Sequence, residues 1–325
     1  MLNIDHVSRR FGAVQALDDV TFSMADHGMT GFIGGNGAGK TTTMRIIMGI
    51  ITADSGGVRW RHAPITPADV RRIGYMPAER GLYPTMPIGK QLAYFARIRG
   101  LSRQDAATST ERLLTELSLE HRSKDPVQNL SLGNQQRIQI AAALIGDPAC
   151  LILDEPFSGL DPIAAETVGE ILRSHSERGV PVLFSSHQLD LVERYCDHLV
   201  IIADGKIKAT GSREGLLATH AGFSYEIGAD DLTWLRAERG VIDVVPHGRK
   251  VRFTIDALNQ DTAEVIAQEV LQRALGHGPV NSFQRWTPSL AEVFRDTIVD
   301  RPGEPGFDRR IRRLWRRPGL FQDKP

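Results

Sequence analysis

The stretch Gly34-Gly35-Asn36-Gly37-Ala38-Gly39-Lys40-Thr41-Thr42 follows the apolar residues Thr30-Gly31-Phe32-Ile33 and precedes Met44-Arg45-Ile46-Ile47-Met48. A strand, a glycine turn and a helix are implied in that order. Gly34, Gly39, Lys40 and Thr41 match the pattern G-x-x-x-x-G-K-[ST], whose glycines let backbone N–H groups curl around an anion at a helix N-terminus. Phosphate is the expected guest. In that geometry Lys40 reaches the β- and γ-phosphates as a point charge, the Thr41 hydroxyl completes the coordination of a Mg²⁺ ion, and Thr42 bonds the α-phosphate.

The surrounding chain has 325 residues, 41% hydrophobic and 24% charged, which is an ordinary globular composition with room for two domains. Lys and Arg number 39 and Asp and Glu also 39, so no global field draws the chain to nucleic acid or to a membrane. Two cysteines, Cys150 and Cys196, suit packed thiols in a reducing compartment rather than a disulfide framework or a metal cluster. The apolar runs 138–145 and 150–153 are split by Asp147 and Pro148 and fall short of the about 18–20 residues a membrane helix needs. The opening Met1-Leu2-Asn3-Ile4-Asp5-His6-Val7 alternates like a strand and lacks the basic and apolar segments of a signal peptide, so an intracellular protein is expected.

Residues 2–7, 14–17 and 20–24 read as short strands of an antiparallel lead-in, joined by turns at Arg10-Phe11-Gly12 and Asp26-His27-Gly28. Phe11, beside Arg9 and Arg10, either lies flat against a nucleotide base or fills core. Beyond the glycine loop come a helix to about residue 50, a strand at 58–60 and a strand at 73–76 that ends at Pro77. The exit Ala78-Glu79 is polar, and Glu79 faces either solvent or a partner. Helical periodicity over 88–119, with Leu92, Phe95 and Ile98 and then Leu113, Leu114 and Leu117, marks an inserted helical subdomain. It runs into Leu130-Ser131-Leu132-Gly133-Asn134-Gln135-Gln136, where Ser131 and Gly133 open a helical run over 138–145. That is a second helix N-terminus suited to an anion, although a serine N-cap alone is a purely structural device.

Cys150-Leu151-Ile152-Leu153 is a continuous apolar run of the kind buried on both faces of a parallel sheet. Asp154 and Glu155 stand at its carboxyl end, where open α/β sheets bind ligands. Asp154 is suited to a Mg²⁺ shell and Glu155 to orienting or deprotonating a water. A loop through Phe157-Ser158-Gly159-Leu160-Asp161-Pro162 leads to a helix over about 163–178 and a strand at 180–185, with His187 directly after it. A helix at 188–195 and strands at 199–203 and 206–209 follow.

The order of phosphate loop, helical insert, Leu130-Ser131-x-Gly133-x-Gln135, apolar strand to Asp154-Glu155-Pro156, Ser158-Gly159-Leu160-Asp161 and Ser185-Ser186-His187 resembles the ATP-binding subunit of ABC transporters over about residues 1–220. The joint pattern is specific where no single motif is. The resemblance implies an α/β fold: a P-loop NTPase core of the ABC ATPase type, with an antiparallel β subdomain and a helical subdomain at about 85–145. It assigns 34–42 as Walker A, Asp154 as the Walker B acid that holds Mg²⁺ with Thr41, Glu155 as the catalytic base and His187 as the switch histidine. Phe11 becomes the aromatic on adenine, Ser131, Gly133 and Gln135 the signature loop, and Asp161 the end of the D-loop. ATP and Mg²⁺ are the implied cofactors. In such proteins each ATP lies between one Walker A and the other copy's signature loop, so a homodimer is expected. A separate transmembrane permease is the further partner, at the cytoplasmic face of the cell membrane, and no nucleic acid is expected.

Three positions depart from the family pattern. Gly35 stands for a usual proline, Leu132 and Asn134 make the signature LSLGNQQ rather than LSGGQQ, and Ala78 stands for the Q-loop glutamine. The run from Gly74 to Pro84 looks like a bacterial export-type subgroup that includes sodium and drug exporters. The rival is a soluble ABC-type ATPase acting on ribosomes or DNA, against which a single cassette, two cysteines and no long heptads count.

After Thr210-Gly211-Ser212, strands at 223–227, 241–245 and 251–255 with a helix at 262–275 make a small α+β domain over about 221–300. It ends in Pro288-Ser289-Leu290-Ala291-Glu292-Val293-Phe294, which resembles the closing helix of accessory C-terminal domains in these subunits. In the tail, 301–325, Ile311, Leu314 and Trp315 lie at helical spacing among six arginines from Arg309 to Arg317. That pattern suits either an anionic membrane surface or a solvated chain.

Overall fold

The structure, a computed structural model, describes residues 2–79, 81–248 and 250–298, so the basic tail lies outside the described residues. The chain begins with β1 (Leu2–Phe11), β2 (Val14–Met24), β3 (Met29–Ile33), α1 (Lys40–Ile47), β4 (Ser55–Trp60), β5 (Ala63–Pro64), α2 (Pro67–Val70) and β6 (Ile73–Met76). The helical insert is α3 (Ile88–Ile98), α4 (Arg103–Glu116) and α5 (Leu132–Leu144). Next come β7 (Cys150–Leu153), α6 (Pro162–Glu177), β8 (Val182–Ser186), α7 (Leu189–Tyr195), β9 (His198–Ala203), β10 (Lys206–Ser212) and α8 (Arg213–Ala221). The last segment is β11 (Ser224–Ala229), β12 (Val241–His247), β13 (Lys250–Ile255), α9 (Gln260–His277), β14 (Val280–Arg285) and α10 (Leu290–Ile298).

Among the described residues the strands form three sheets, ordered β2-β1-β4-β5, β10-β9-β3-β8-β7-β6 and β12-β13-β11-β14. The middle sheet is parallel from β9 to β6, with β10 antiparallel at one edge. Every residue of β3, β7 and β8 is buried, and in β7 this shows as an unbroken apolar run. Phe32, Ile152 and Leu183 meet Leu2, Ile4 and Phe22 of the first sheet on one face. Ile33, Leu151 and Phe184 meet Ile138, Val168 and Val192 of the helices on the other. Each fully buried side chain of this size stabilises the fold by about 1.5–3 kcal/mol, so this two-faced sheet is the rigid base of the molecule.

Several boundaries differ from the sequence expectation. Residues 14–17 and 20–24 are one strand, because Asp19 takes a φ of 57° in an irregular ladder instead of ending it. Phe11 consequently ends β1, and the turn falls at Gly12, whose φ is 56°. The helical pattern over 88–119 is two helices split at Gly100, where a φ of 94° terminates α3 and Ser102 caps α4.

In the third sheet Tyr225, Ile227 and Phe253 pack on the stripe Ala263, Ala267, Val270 and Ala274 of α9. On the opposite face the buried Glu226 receives Lys250 at 2.7 Å, His247 at 2.6 Å and Gln284 at 3.2 Å. Lys250 and then His247 hold its carboxyl below the ordinary glutamate range.

Candidate nucleotide site

Strand β8 lies between β3 and β7, so the carboxyl ends of three adjacent parallel strands bring the glycine loop, Ser185 to His187 and Asp154-Glu155 side by side. The Ser185 hydroxyl donates to Asp154 Oδ1 at 2.6 Å and accepts from the Glu155 amide at 2.8 Å. One side chain therefore fixes both acids. Glu155 has a φ of 54°, a left-handed conformation that costs a non-glycine residue about 1–3 kcal/mol. Gln136 of α5 holds it there from below, donating to the carbonyls of Glu155 at 3.1 Å and Pro156 at 3.0 Å. His187 Nδ1 lies 2.9 Å from Glu155 Oε2, and beside an ionised carboxylate that nitrogen carries the proton. Glu155 Oε1 lies 3.8 Å from Lys40 Nζ.

Lys40 folds back into its own loop and donates to Gly34 O at 2.6 Å and Gly35 O at 3.2 Å. Burial pushes its pKa down, and the charges of Glu155 and Asp154 offset part of that. Its ammonium is thus a largely buried cation whose hydrogen-bond partners are loop carbonyls. No side chain caps α1, so its first N–H groups remain open to an anion, while Thr41 and Thr42 sit half-buried on its first turn.

The loop glycines are not equivalent. A Cβ on Gly39 would meet Leu17 Cδ2 at 2.5 Å, and one on Gly34 would meet Ile202 O at 2.5 Å. Gly35 has open space and lies outside the left-handed region. Its carbonyl accepts from Ala38 N at 3.2 Å, between the exposed Asn36 and the left-handed Gly37. Gly35→Pro is therefore expected to leave nucleotide affinity within about threefold of wild type and to stabilise the protein by about 0.4–1 kcal/mol through the unfolded chain. Nucleotide titration and thermal unfolding check both, and a large loss of affinity would show that the Gly35 amide is a phosphate contact.

Phe11 is 43% exposed at the tip of the first hairpin, with the Arg9 guanidinium 4.8 Å from its ring centroid, so it is not core filling. It pairs across the turn with Val14, and two residues further on Ala16 lies against Gly39. The hairpin that carries the ring thus packs against the glycine loop at Ala16.

Ser131 caps α5 by accepting from Asn134 N at 3.3 Å, Gln135 donates to Leu130 O at 3.0 Å, and Asp161 caps α6 by accepting from Ala164 N at 2.8 Å. Among the described residues no hydrogen bond or ion pair joins Ser131, Gly133, Gln135 or Asp161 to the glycine loop. A Cβ on Gly133 would meet only Leu160 Cδ2 at 3.6 Å, so nothing within this chain demands glycine there. Ala78 offers no polar group. The Glu79 side chain is 85% exposed and pairs with Arg45 at 3.1 Å, outside the Lys40-Asp154-Glu155 cluster.

Asp154 is fully buried, and its Oδ2 has no hydrogen-bond partner among the described residues. An orphaned buried carboxylate oxygen fits a hard divalent cation such as Mg²⁺. Sequence reading missed Ser185 and Gln136 as site residues. The available signal was a serine at the end of a buried strand and a glutamine that is buried on a helix.

Residues 17–158 match the ABC transporter family model, and residues 211–298 match the model described as ATP-binding protein DrrA1-3-like, C-terminal domain. The chain is 36% identical over 299 residues to the uncharacterized ABC transporter ATP-binding protein YhaQ of Bacillus subtilis (strain 168), across 92% of this chain and 98% of that one. It is 35% identical over 242 residues to Nod factor export ATP-binding protein I of Paraburkholderia xenovorans (strain LB400), across 73% and 79%. A solved ATP binding subunit of an ABC transporter superposes with a TM-score of 0.62 at 32% identity, covering 68% of this chain and 93% of that chain. The chain belongs to the ABC transporter ATP-binding proteins and is an ATPase of that family.

Proposed function

We propose that two copies of this chain bind ATP head to tail and hydrolyse it to drive export through a separate membrane permease. The observation that carries the reading is the hydrogen-bonded row His187, Glu155, Ser185 and Asp154 set against Lys40 at the ends of three neighbouring strands. Phe11 stacks on the adenine, and the glycine loop with Thr42 holds the phosphates. Lys40 exchanges the Gly34 and Gly35 carbonyls for β- and γ-phosphate oxygens. Glu155 takes a proton from a water in line with the γ-phosphate, while the His187 Nδ1–H keeps the other carboxylate oxygen in place. Thr41 and Asp154 would hold Mg²⁺, which supplies charge neutralisation at the phosphates. Ser131, Gly133 and Gln135 of the second copy, with Asp161 at the D-loop, close the site from the far side, which accounts for a glycine at 133 that its own chain does not need.

The ATPase occupies about residues 1–220 and the accessory domain about 221–300. Among the described residues no helix is long and apolar enough to cross a membrane, and a permease in another chain supplies that path. Export is supported by the run from Gly74 to Pro84 and by a relative named for Nod factor export. Purification from detergent-solubilised membranes tests the reading. A co-purifying permease that moves its substrate outward with ATP is the expected result, and recovery with ribosomes or DNA in its place would favour the soluble rival.

A further inference from the structure

We propose that Glu193 is a positioning residue for His187, through which the C-terminal helix α10 sets the rate of hydrolysis; this rests on the roles of Glu155 and His187 given above. The His187 side chain is 55% exposed, so packing covers less than half of the ring and contributes little to its register with Glu155. Its place is set by its backbone, strung between β8 and α7. Helix α7 begins two residues later and is only seven residues long, too short to be stable without packing on its neighbours.

Part of that packing comes from the far end of the chain. Leu290 and Val293 of α10 are fully buried in the same cluster as Val192, Tyr195 and Cys196 of the α7 segment. Helix α10 starts with a reciprocal cap, Ser289 N to Glu292 Oε2 at 2.9 Å and Glu292 N to Ser289 Oγ at 3.3 Å. The next amide, Leu290 N, donates to Glu193 Oε2 of α7 at 3.3 Å, which places a carboxylate at a helix N-terminus where the dipole favours it. The Glu193 carbonyl also accepts from Arg213 at the start of α8.

On its other side α10 is tied to the third sheet. Arg252 of β13 reaches Glu292 at 3.5 Å and lies 4.1 Å over the Trp286 ring. A continuous line of contacts thus runs from Arg252 through Glu292, α10 and Glu193 to α7, and from there to His187 and Glu155. A shift of the sheet carried along this line would move α7 and so change the 2.9 Å contact between His187 and Glu155. A hydrogen bond and a near-attack geometry are both steep functions of such displacements.

ATPase kinetics of the full chain test this. Glu193→Ala is expected to lower kcat by about fivefold while leaving KM for ATP within about twofold, since the binding groups do not move. Glu193→Gln keeps an acceptor for Leu290 N and is expected to keep kcat within about twofold of wild type. In a His187→Ala background Glu193→Ala should cause no further fall, because its effect passes through the histidine. An unchanged kcat in Glu193→Ala, an equal fall with His187 already removed, or a Glu193→Gln as slow as the alanine variant would overturn the proposal and leave the roles of His187 and Glu155 standing. A wild-type kcat in His187→Ala alone would remove the role of His187 first and this inference with it.

Discussion

Glu155→Gln is expected to slow ATP turnover by about 10²–10⁴-fold and to leave an ATP-bound dimer that persists on size-exclusion chromatography. Glutamine has the same shape, so its carbonyl oxygen still accepts from His187 Nδ1, and the backbone bonds from Ser185 and Gln136 do not involve the side chain at all. What disappears is the group proposed to take a proton from water, together with one negative charge near Lys40. The phosphate contacts and the orphaned Asp154 Oδ2 are untouched, so binding survives while chemistry stops. Turnover near wild type would show that proton removal does not pass through Glu155, and fast turnover without any ATP-dependent dimer would remove the head-to-tail site as well.

The residues whose placement the sequence makes legible are those that end an apolar run. The glycine loop follows β3, Asp154-Glu155 follows β7 and His187 follows β8, and buried parallel strands show as predominantly apolar runs. Ser185 stayed hidden because its role comes from register. Leu153 pairs with Phe184, so the next position on each strand brings the serine level with Asp154, and pairing across strands is not written in either run. Phe11 was open between stacking and core filling until the hairpin turn was placed at Gly12, which puts the ring on an exposed tip.

Longer-range relations were still less visible. The apolar spacing of Leu290 and Val293 marks a helix face, but the surface that covers it lies about one hundred residues earlier, at Glu193, and no local pattern names a partner at that distance. Strand β14 and helix α8 escaped notice for a simpler reason. Asn281, Ser282 and Gln284 break the alternation in the first, and most side chains of the second are exposed or only partly buried.

Lys40→Met is expected to weaken ATP binding by about 100-fold or more, the usual result of removing one member of a desolvated charge pair. The thermal midpoint of the nucleotide-free protein should move by no more than about 3 °C. Two effects oppose each other there. The Gly34 and Gly35 carbonyls lose their donor, while the fold no longer has to keep an ammonium out of water, a cost visible in the lowered pKa of Lys40. Methionine also retains the apolar stem that packs in the loop. The pH dependence has a definite sign. A lysine whose folded pKa is depressed burdens the folded state while it is protonated in both states, and that burden is relieved as pH rises through the folded value. Wild type should therefore gain stability relative to Lys40→Met toward alkaline pH. Added ATP at a fixed concentration should raise the wild-type midpoint more than the variant's, because stabilisation grows with the ratio of ligand concentration to Kd. Wild-type affinity in the variant would mean that the loop amides alone hold the phosphates, and a collapse of the nucleotide-free midpoint would mean that Lys40 braces the loop rather than waiting for its ligand.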